Sequence, residues 1–356
     1  MKCLNDKYEI CLAQPSDADQ LLTLYECGDF KGAVSVLYTR RPDPIASLMK
    51  EGERAVIPIV RDLENDVIVG MGACIIRKAY VNGEIRNTGY LTGLKGLPNY
   101  RKRVPAISQT YSYLHNETKA DVDLYYTTIL KENTAVQKML EKKRKTMPEY
   151  RRIGEYTVYC FRTGGKGKPK TRSNGWTLER ASLEELAGLD IQNPAGYNLT
   201  PADRALHGLT DDDVWFLKDH EGKVAAACAL WSQTSWKQYI VTGYGGIFKW
   251  LQKLPLKWTG YPDLPEAGVP VNYAAVTLLM VRDGDLAAAE QLIAMAAQRA
   301  SAYDFLMLGL FENHPLRAVM EKRKCIKYGS ILYTVHWEDN GLDLDERPVS
   351  LEIGLL

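Results

Sequence analysis

A short pattern that occurs twice constrains this chain more than any other sequence feature. Residues 130–133 (Leu-Lys-Glu-Asn) and 141–142 (Glu-Lys) recur as 310–313 (Leu-Phe-Glu-Asn) and 321–322 (Glu-Lys), with five identities at one offset of 180 residues. In each copy an apolar-periodic helix lies between the Asn and the Glu-Lys pair. Because 356 residues exceed what one hydrophobic core usually organises, the repeat predicts two homologous domains.

The predicted elements describe a mixed α/β (α+β) fold in each half, with a mainly antiparallel sheet flanked by helices. The first half has predicted strands at 8–13, 55–61, 67–81, 84–97, 124–130 and 156–161, and helices at 15–25, 104–118 and 134–144. The second half has predicted strands at 176–180, 214–217, 223–231, 274–281, 305–311 and 330–337, and helices at 182–189, 285–300 and 315–323. Between two of the strands, Asn82-Gly83 is a strong hairpin signal.

Two segments outside these elements set the predicted domain boundaries. Residues 164–175 contain glycine, proline and basic residues without any acidic or large apolar side chain, which is typical of a linker. We therefore expect an N-terminal domain at 1–163 and a C-terminal domain at 176–356. Residues 349–356 carry apolar side chains at every second position, which predicts a terminal strand. This strand either packs beside the cleft of the N-terminal domain or extends the C-terminal sheet.

Charge and composition exclude several classes of protein. The 45 basic and 44 acidic residues give a net charge of +1, so no global field draws the chain to nucleic acid or to a membrane, and neither is an expected partner. The seven cysteines form no Cys-x-x-Cys pair and the five histidines are scattered, so we expect reduced thiols and no metal site. No apolar run is long enough to span a membrane and the first residues lack a signal-peptide core, which predicts a cytoplasmic protein.

The repeated asparagine is the first candidate for chemistry. Asn133 follows a predicted strand and precedes a predicted helix. Its side-chain oxygen can cap the helix, or its side chain can anchor a ligand where adjacent strands separate. Both uses fit the local sequence.

Two stretches of the first half resemble the central signatures of the GNAT N-acyltransferase superfamily. They are Leu91-x-x-Leu94-x-x-x-Pro98-x-Tyr100-Arg101-x-Arg103 and, after the next strand, Asn133-x-x-Val136-x-x-x-Leu140-Glu141-Lys142. The chain as a whole is similar to bacterial proteins with two GNAT domains and no assigned substrate. The resemblance implies a sheet that separates between its fourth and fifth strands, and a helix whose N-terminus holds the diphosphate of coenzyme A.

The resemblance also implies a set of residues that bind acetyl-CoA as cosubstrate. These residues are Leu94, Lys95, Gly96, Arg101, Lys102, Arg103, Val104, Ala106 and Asn133. The family's diphosphate loop has a glycine where this chain has Val104, and Pro105 removes one backbone donor.

Other departures from the family concern the general acid and the second half. The tyrosine that protonates the leaving thiolate in many members is replaced by Leu140, and by Met320 in the second copy. The second copy also places Asp283 and Asp285 where a diphosphate would lie. We therefore expect the second half to be a GNAT-like domain without a coenzyme site.

The implied reaction is transfer of an acyl group, most simply acetyl, from coenzyme A to a primary amine of a small molecule or peptide. Direct attack needs a neutral amine and therefore a base, for which Glu84, Asp123 and Glu132 are the candidate catalytic residues. Four tyrosines are candidates to line the acceptor pocket: Tyr90, Tyr100, Tyr125 and Tyr126. The alternative is a noncatalytic module that senses acyl-CoA or binds a partner. Transfer from charged RNA would need a strongly basic face.

Overall fold

Strands form most of the regular structure. A computed structural model describes residues 2–3, 6–100, 107–164, 172–173, 175–338 and 341–356. The strands are β1 Lys2–Cys3, β2 Tyr8–Leu12, β3 Val34–Thr39, β4 Arg54–Val56, β5 Pro58–Asp62, β6 Val67–Val81, β7 Glu84–Gly96, β8 Leu124–Leu130, β9 Glu149–Arg162, β10 Arg172–Ser173, β11 Trp176–Arg180, β12 Val214–Lys218, β13 Val224–Trp231, β14 Gln238–Tyr244, β15 Tyr273–Val281, β16 Phe305–Phe311 and β17 Cys325–His336.

The helices lie on both faces of the sheet. They are α1 Ala18–Glu26, α2 Pro44–Met49, α3 Ile107–Thr118, α4 Thr134–Glu141, α5 Leu183–Ala187, α6 Phe248–Leu251, α7 Leu286–Arg299 and α8 Arg317–Glu321. Among the described residues, none of them is long and apolar enough to cross a membrane. The mixed fold class predicted from the sequence is confirmed.

The β6–β7 hairpin is the longest antiparallel pair of the first half. Asn82 (φ 54°) and Gly83 (φ 86°) both occupy the left-handed region, which is the backbone of the predicted type I′ turn. Their geometry fixes the register, so that Val81 pairs with Glu84 and the same register continues to Ala73 and Thr92.

The two halves exchange their last strands. β17, from the second half, lies between β8 and β9 of the first half, and β9 in turn pairs with β16 of the second half. The order through the middle of the sheet is therefore β7-β8-β17-β9-β16-β15. The prediction of a separate sheet in each half was wrong in this respect, because each half supplies the strand that completes the other.

Several local predictions also differ from the structure. The strand predicted at 55–61 is divided into β4 and β5, which both pair with β6. β3 and β14 form a small second sheet that links the halves, and neither strand was predicted. The prediction of a terminal strand at 349–356 was wrong. Residues 353–355 form a short 3-10 turn, and Val349 makes one isolated bridge to Asn198. The tail makes side-chain contacts with both halves instead of pairing along an edge.

Buried tyrosines distinguish the face of the sheet that α1 covers. Tyr25, Tyr90, Tyr126, Tyr156 and Tyr273 are each at most 3% exposed and belong to one apolar cluster. This cluster spans the junction of the halves. Its tyrosines therefore place hydroxyl groups, which need hydrogen-bond partners, in the interior of the protein.

Candidate active site

A gap opens between β7 and β8. The two strands are parallel and pair only from Thr88 with Leu124 to Tyr90 with Tyr126. Beyond this point the pairing of β7 with β6 passes from Thr92 directly to Lys95, so Gly93 and Leu94 form a bulge. Gly93 has φ 65°, a conformation that favours glycine. The bulge leaves the extra residue of β7 out of the ladder, next to the gap.

The second half repeats this construction. β15 and β16 are parallel and pair only from Tyr273 with Phe305 to Ala275 with Met307. The pairing of β15 with β13 then passes from Thr277 to Met280, and Leu278 has φ 49°. The positions equivalent to Gly93 and Leu94 are therefore Leu278 and Leu279, which shows that the repeat includes the bulge.

In the second half the gap is filled by the chain's own tail. The Glu352 carboxyl group accepts hydrogen bonds from the Leu278 amide (2.9 Å) and from the Thr277 hydroxyl (2.6 Å). Upstream in the tail, the Val349 amide donates to the Asn313 side chain at 3.2 Å. Thr277 is fully buried and Leu278 is 7% exposed. Burial raises the pKa of Glu352, while its two hydrogen bonds oppose the rise because they favour the charged form.

Tyr156 holds the tail against the sheet. Its hydroxyl donates to the Leu351 carbonyl at 3.0 Å. The ring reaches this position over Gly309, where a Cβ atom would stand 1.8 Å from the tyrosine oxygen. A glycine in the middle of β16 is therefore required by this close approach.

In the first half the described residues leave the equivalent bulge partly exposed. Thr92 and Gly93 are only partly buried, and Leu94 is 41% exposed. The Tyr25 side chain reaches the bulge from α1: a Cβ atom on Gly93 would stand 2.9 Å from the Tyr25 hydroxyl and 3.5 Å from the Met71 methyl group. Burial raises the pKa of Tyr25, and the charge of Arg40 offsets only part of the rise. The phenol is therefore protonated at neutral pH.

Polar side chains line the tyrosine-rich face beside the gap. Tyr90 and Tyr126 pack with ring centroids 5.2 Å apart, and the Tyr90 hydroxyl lies 2.9 Å from the Thr128 hydroxyl. The Arg77 guanidinium lies 5.6 Å from the centre of the Tyr90 ring and donates from Nη1 to the Leu355 carbonyl at 2.9 Å. Among the described residues its Nε and Nη2 atoms have no hydrogen-bond partner. Arg77 and Tyr126 line a small cavity with the tail.

A buried charge cluster lies behind this face. Arg40 and Lys237 contact opposite oxygens of the Glu51 carboxylate, each at 3.0 Å. Burial raises the pKa of Glu51, but the charges of Arg40 and Lys237 outweigh burial and lower it. Burial lowers the pKa of Lys237 to about 8. Lys237 also donates to the carbonyls of Gly354 (3.0 Å) and Leu356 (2.6 Å), so the cluster anchors the tail.

The structure brings some of the predicted coenzyme residues to the gap. Leu94, Lys95 and Gly96 lie on the bulge and the end of β7, where the Lys95 ammonium lies 5.5 Å from the centre of the Tyr25 ring. Asn133 caps α4, because its side chain accepts from the Val136 amide at 3.4 Å. The predicted diphosphate loop lies outside the described residues: Arg101, Lys102, Arg103, Val104, Pro105 and Ala106.

The candidate carboxylates are not gathered at the gap. Glu84 lies in the hairpin, with roughly 30 Å of extended strand between it and Gly93. Asp123 precedes β8 at the end where the strands are still paired, and accepts from the Asn87 amide at 2.9 Å. Glu132 is exposed in the turn between β8 and α4. Of the candidate tyrosines, Tyr90 and Tyr126 line the tyrosine-rich face, whereas Tyr125 points to the opposite face and packs on Trp337. Tyr100 lies in the turn after β7.

Several residues of the site were missed in the sequence analysis. Tyr25, Arg77, Lys237 and Glu352 come from four distant parts of the chain, and no spacing connects them. At the repeat's offset of 180 residues Gly93 aligns with Tyr273 and not with Leu278, so the equivalence of the two bulges is visible only in the strand pairing. Within the described residues, no group of three or more His, Cys, Asp and Glu side chains is arranged to hold a metal ion.

Comparison with known proteins places this geometry in a fold class. No family model and no curated protein matches the sequence. The structure is similar to Saccharomyces cerevisiae N-myristoyltransferase with bound myristoyl-CoA, at 11% identity and a TM-score of 0.58 over 99% of this chain and 90% of that chain. It is also similar to a GCN5-related N-acetyltransferase from Sphaerobacter thermophilus, at 12% identity and a TM-score of 0.52 over 96% and 99% of the two chains. The chain therefore has the GNAT fold.

Proposed function

We propose that this protein is an N-acyltransferase that moves an acyl group from coenzyme A to a primary amine, at the gap between β7 and β8. One observation carries the proposal: the equivalent bulge in the second half already binds a carboxyl group, through the Leu278 amide and the Thr277 hydroxyl. The first-half bulge has the same backbone construction and is less buried by the described residues. It is therefore suited to a carbonyl oxygen that gains negative charge.

The chemistry follows from this placement. The amine nitrogen attacks the thioester carbon, the carbonyl oxygen becomes an oxyanion, and the carbon–sulfur bond breaks as the carbonyl re-forms. Backbone N–H groups at Gly93 and Leu94 would stabilise the oxyanion, as preorganised donors do in acyl transfer. The products are an amide and coenzyme A thiol, since the proton that the amine loses replaces the one that is given to the leaving thiolate. The diphosphate of coenzyme A is assigned to residues 101–106 by the family resemblance.

Tyr25 is assigned two roles at this gap. Its protonated phenol lies beside Gly93 and donates to the leaving thiolate, which replaces the tyrosine absent from position 140. The same side chain and Met71 occupy the space next to the bulge, which favours a short acyl group such as acetyl over a long chain. The amine acceptor enters on the side of Tyr126, where the unpartnered guanidinium atoms of Arg77 suit an acceptor that also carries an anionic group.

Substitution at Gly93 tests the site. Gly93→Ala places a Cβ atom on the Tyr25 hydroxyl and strains the positive φ, so kcat/KM with acetyl-CoA should fall about 100-fold, as expected for a misplaced reacting centre. Gly222→Ala is the matched control, since Gly222 has φ 79° but open space around it. The measurement is thiol release against a panel of amines, with titration calorimetry for acetyl-CoA. Equal activity of the two variants, or two equivalent binding sites per chain, would contradict the assignment.

Substitution at Tyr25 tests the proposed proton donor and the acyl selectivity separately. Tyr25→Phe should lower kcat about 100-fold, within the range for general acid–base catalysis, with little change in the KM for acetyl-CoA. Tyr25→Ala should improve the use of longer acyl-CoA substrates relative to acetyl-CoA, because it empties the space beside the bulge. Acetyl-CoA binding without any turnover of any amine would favour the noncatalytic sensing module instead.

A further inference from the structure

The loop between β14 and β15 exposes an unusual number of apolar side chains. We define the aromatic loop as residues 247–261, Ile-Phe-Lys-Trp-Leu-Gln-Lys-Leu-Pro-Leu-Lys-Trp-Thr-Gly-Tyr. Five large apolar side chains among the described residues are more than half exposed, and four of them lie in this loop: Ile247 (67%), Trp250 (74%), Leu254 (54%) and Trp258 (82%). Exposed apolar side chains concentrated in one place mark an interaction surface.

The aromatic loop is attached to the body of the protein. The Arg162 guanidinium donates to the Lys257 carbonyl at 2.7 Å, and the Lys324 ammonium donates to the Thr259 carbonyl at 2.7 Å. The Lys257 amide donates to the Asp263 carboxylate at 2.9 Å. These bonds hold the loop, so its apolar side chains are presented to solvent by the fold.

A basic cavity lies beneath the loop. It has a volume of about 790 Å³, and the described residues that line it include four cationic residues and Trp258 but no acidic residue. The cations are Arg162, Lys257, Arg323 and Lys324. The Asp263 carboxylate lies nearby, 3.4 Å from the Lys257 ammonium. In a chain of net charge +1, this is a local concentration of positive charge.

The loop sequence combines these two properties. Lys249, Lys253 and Lys257 alternate with the exposed apolar residues, and no acidic residue occurs in the loop. A protein partner would have to bury each lysine together with its apolar neighbours. At a bilayer surface, the apolar side chains enter the acyl boundary while each ammonium group stays with the phosphates.

We propose that the aromatic loop docks on a bilayer that contains anionic phospholipid, with the basic cavity receiving a phosphate-bearing headgroup. Tryptophan is the side chain most characteristic of the membrane–water boundary, and lysines near a bilayer surface are attracted by anionic lipid. This inference concerns peripheral binding and does not depend on the proposed acyl transfer.

Vesicle flotation with the full chain tests the inference. The protein should float with vesicles of phosphatidylcholine containing one quarter phosphatidylglycerol, and should remain unbound with phosphatidylcholine alone. Binding should weaken with added salt, because the lysine contribution is screened, and tryptophan fluorescence should shift to the blue on binding. Equal binding to both vesicles, or none to either, would overturn the proposal.

Matched variants distinguish binding through the aromatic loop from non-specific hydrophobic adsorption. Trp250→Ser with Trp258→Ser should abolish flotation, whereas Ile85→Ser, at an exposed apolar residue of the distant β6–β7 hairpin, should leave it unchanged. Lys249→Gln and Lys253→Gln should each weaken binding about fivefold, and circular dichroism checks the fold of every variant. The protein could instead form a stable soluble dimer that the two serine substitutions dissociate, without any vesicle binding. That result would assign the surface to a second copy of the chain and overturn the proposal.

Discussion

At the scale of single residues, burial decides which groups are charged. His314 lies in the turn after β16, is 8% exposed, and accepts at Nδ1 from the Leu316 amide at 3.2 Å. Burial lowers the pKa of His314 from 6.5 to about 4. The neutral ring is therefore part of the native structure, and its protonation is linked to unfolding.

This linkage predicts a pH dependence of stability. Below pH 6.5 the unfolded chain binds a proton at His314, whereas the native chain binds it only near pH 4. The stabilisation is present at neutral pH and is lost as the pH falls, by up to about 3 kcal/mol in the free energy of unfolding. Urea unfolding between pH 7 and 4 should show a smaller loss for His314→Asn, and His220→Asn, at an exposed histidine, should follow the wild type. An identical pH profile for His314→Asn would refute the link.

At the scale of elements, the tail is the segment whose role the fold changes most. Its alternating pattern is that of a strand, yet its apolar side chains enter the gap of the second half and the junction of the halves. Val349, Leu351, Ile353 and Leu355 are each at most 6% exposed. The same gap geometry thus has two environments: in the second half it binds the tail, whereas in the first the described residues leave the bulge partly exposed.

The burial of the tail predicts that shortening one of its side chains lowers the free energy of unfolding substantially. Leu355 contacts the core beside Trp231, so Leu355→Ala should lower the free energy of unfolding by about 2–5 kcal/mol, the cost of a buried leucine with its cavity. Leu63→Ala removes the same atoms at a residue that is 45% exposed and should change stability by less than about 0.5 kcal/mol. Chemical denaturation followed by circular dichroism measures both. A cost for Leu355→Ala as small as the control's would mean that the tail is not held as described.

At the scale of the whole molecule, strand exchange joins the halves. β9 and β17 pair along twelve positions, from Cys325 with Phe161 to His336 with Glu149. Each strand also completes the sheet of the opposite half. The segment between the predicted boundaries at 163 and 176 lies mostly outside the described residues, while the strands on either side of it are shared. We propose that 1–163 and 176–356 are two domains of one folding unit.

The exchange of strands between the halves predicts that the whole chain unfolds in one cooperative transition. All seven tryptophans lie after residue 175, so fluorescence reports mainly on the second half while far-ultraviolet circular dichroism reports on both. The two signals should coincide in urea. Separately expressed 1–163 should not fold as a monomer, because it lacks β17, and co-expression with 176–356 should restore a soluble complex. Two resolved transitions, or a folded monomeric 1–163, would show that the halves are independent.

The sequence by itself determined the local structure and the fold class, because these depend on periodicity, turn chemistry and the repeat. Asn82-Gly83 specified its hairpin, and β6, β8, β11 and β16 have the bounds that the sequence predicts. The cap made by Asn133 was one of the two uses that the sequence allowed. Partner choice was decided only by the tertiary structure, since a strand's pattern says which face is buried but not which strand lies beside it. The exchange of β9 and β17, the tail in the second gap and the meeting of Tyr25 with Gly93 all join residues far apart in the chain. Their contacts come from packing around a shared core, which a local pattern does not encode.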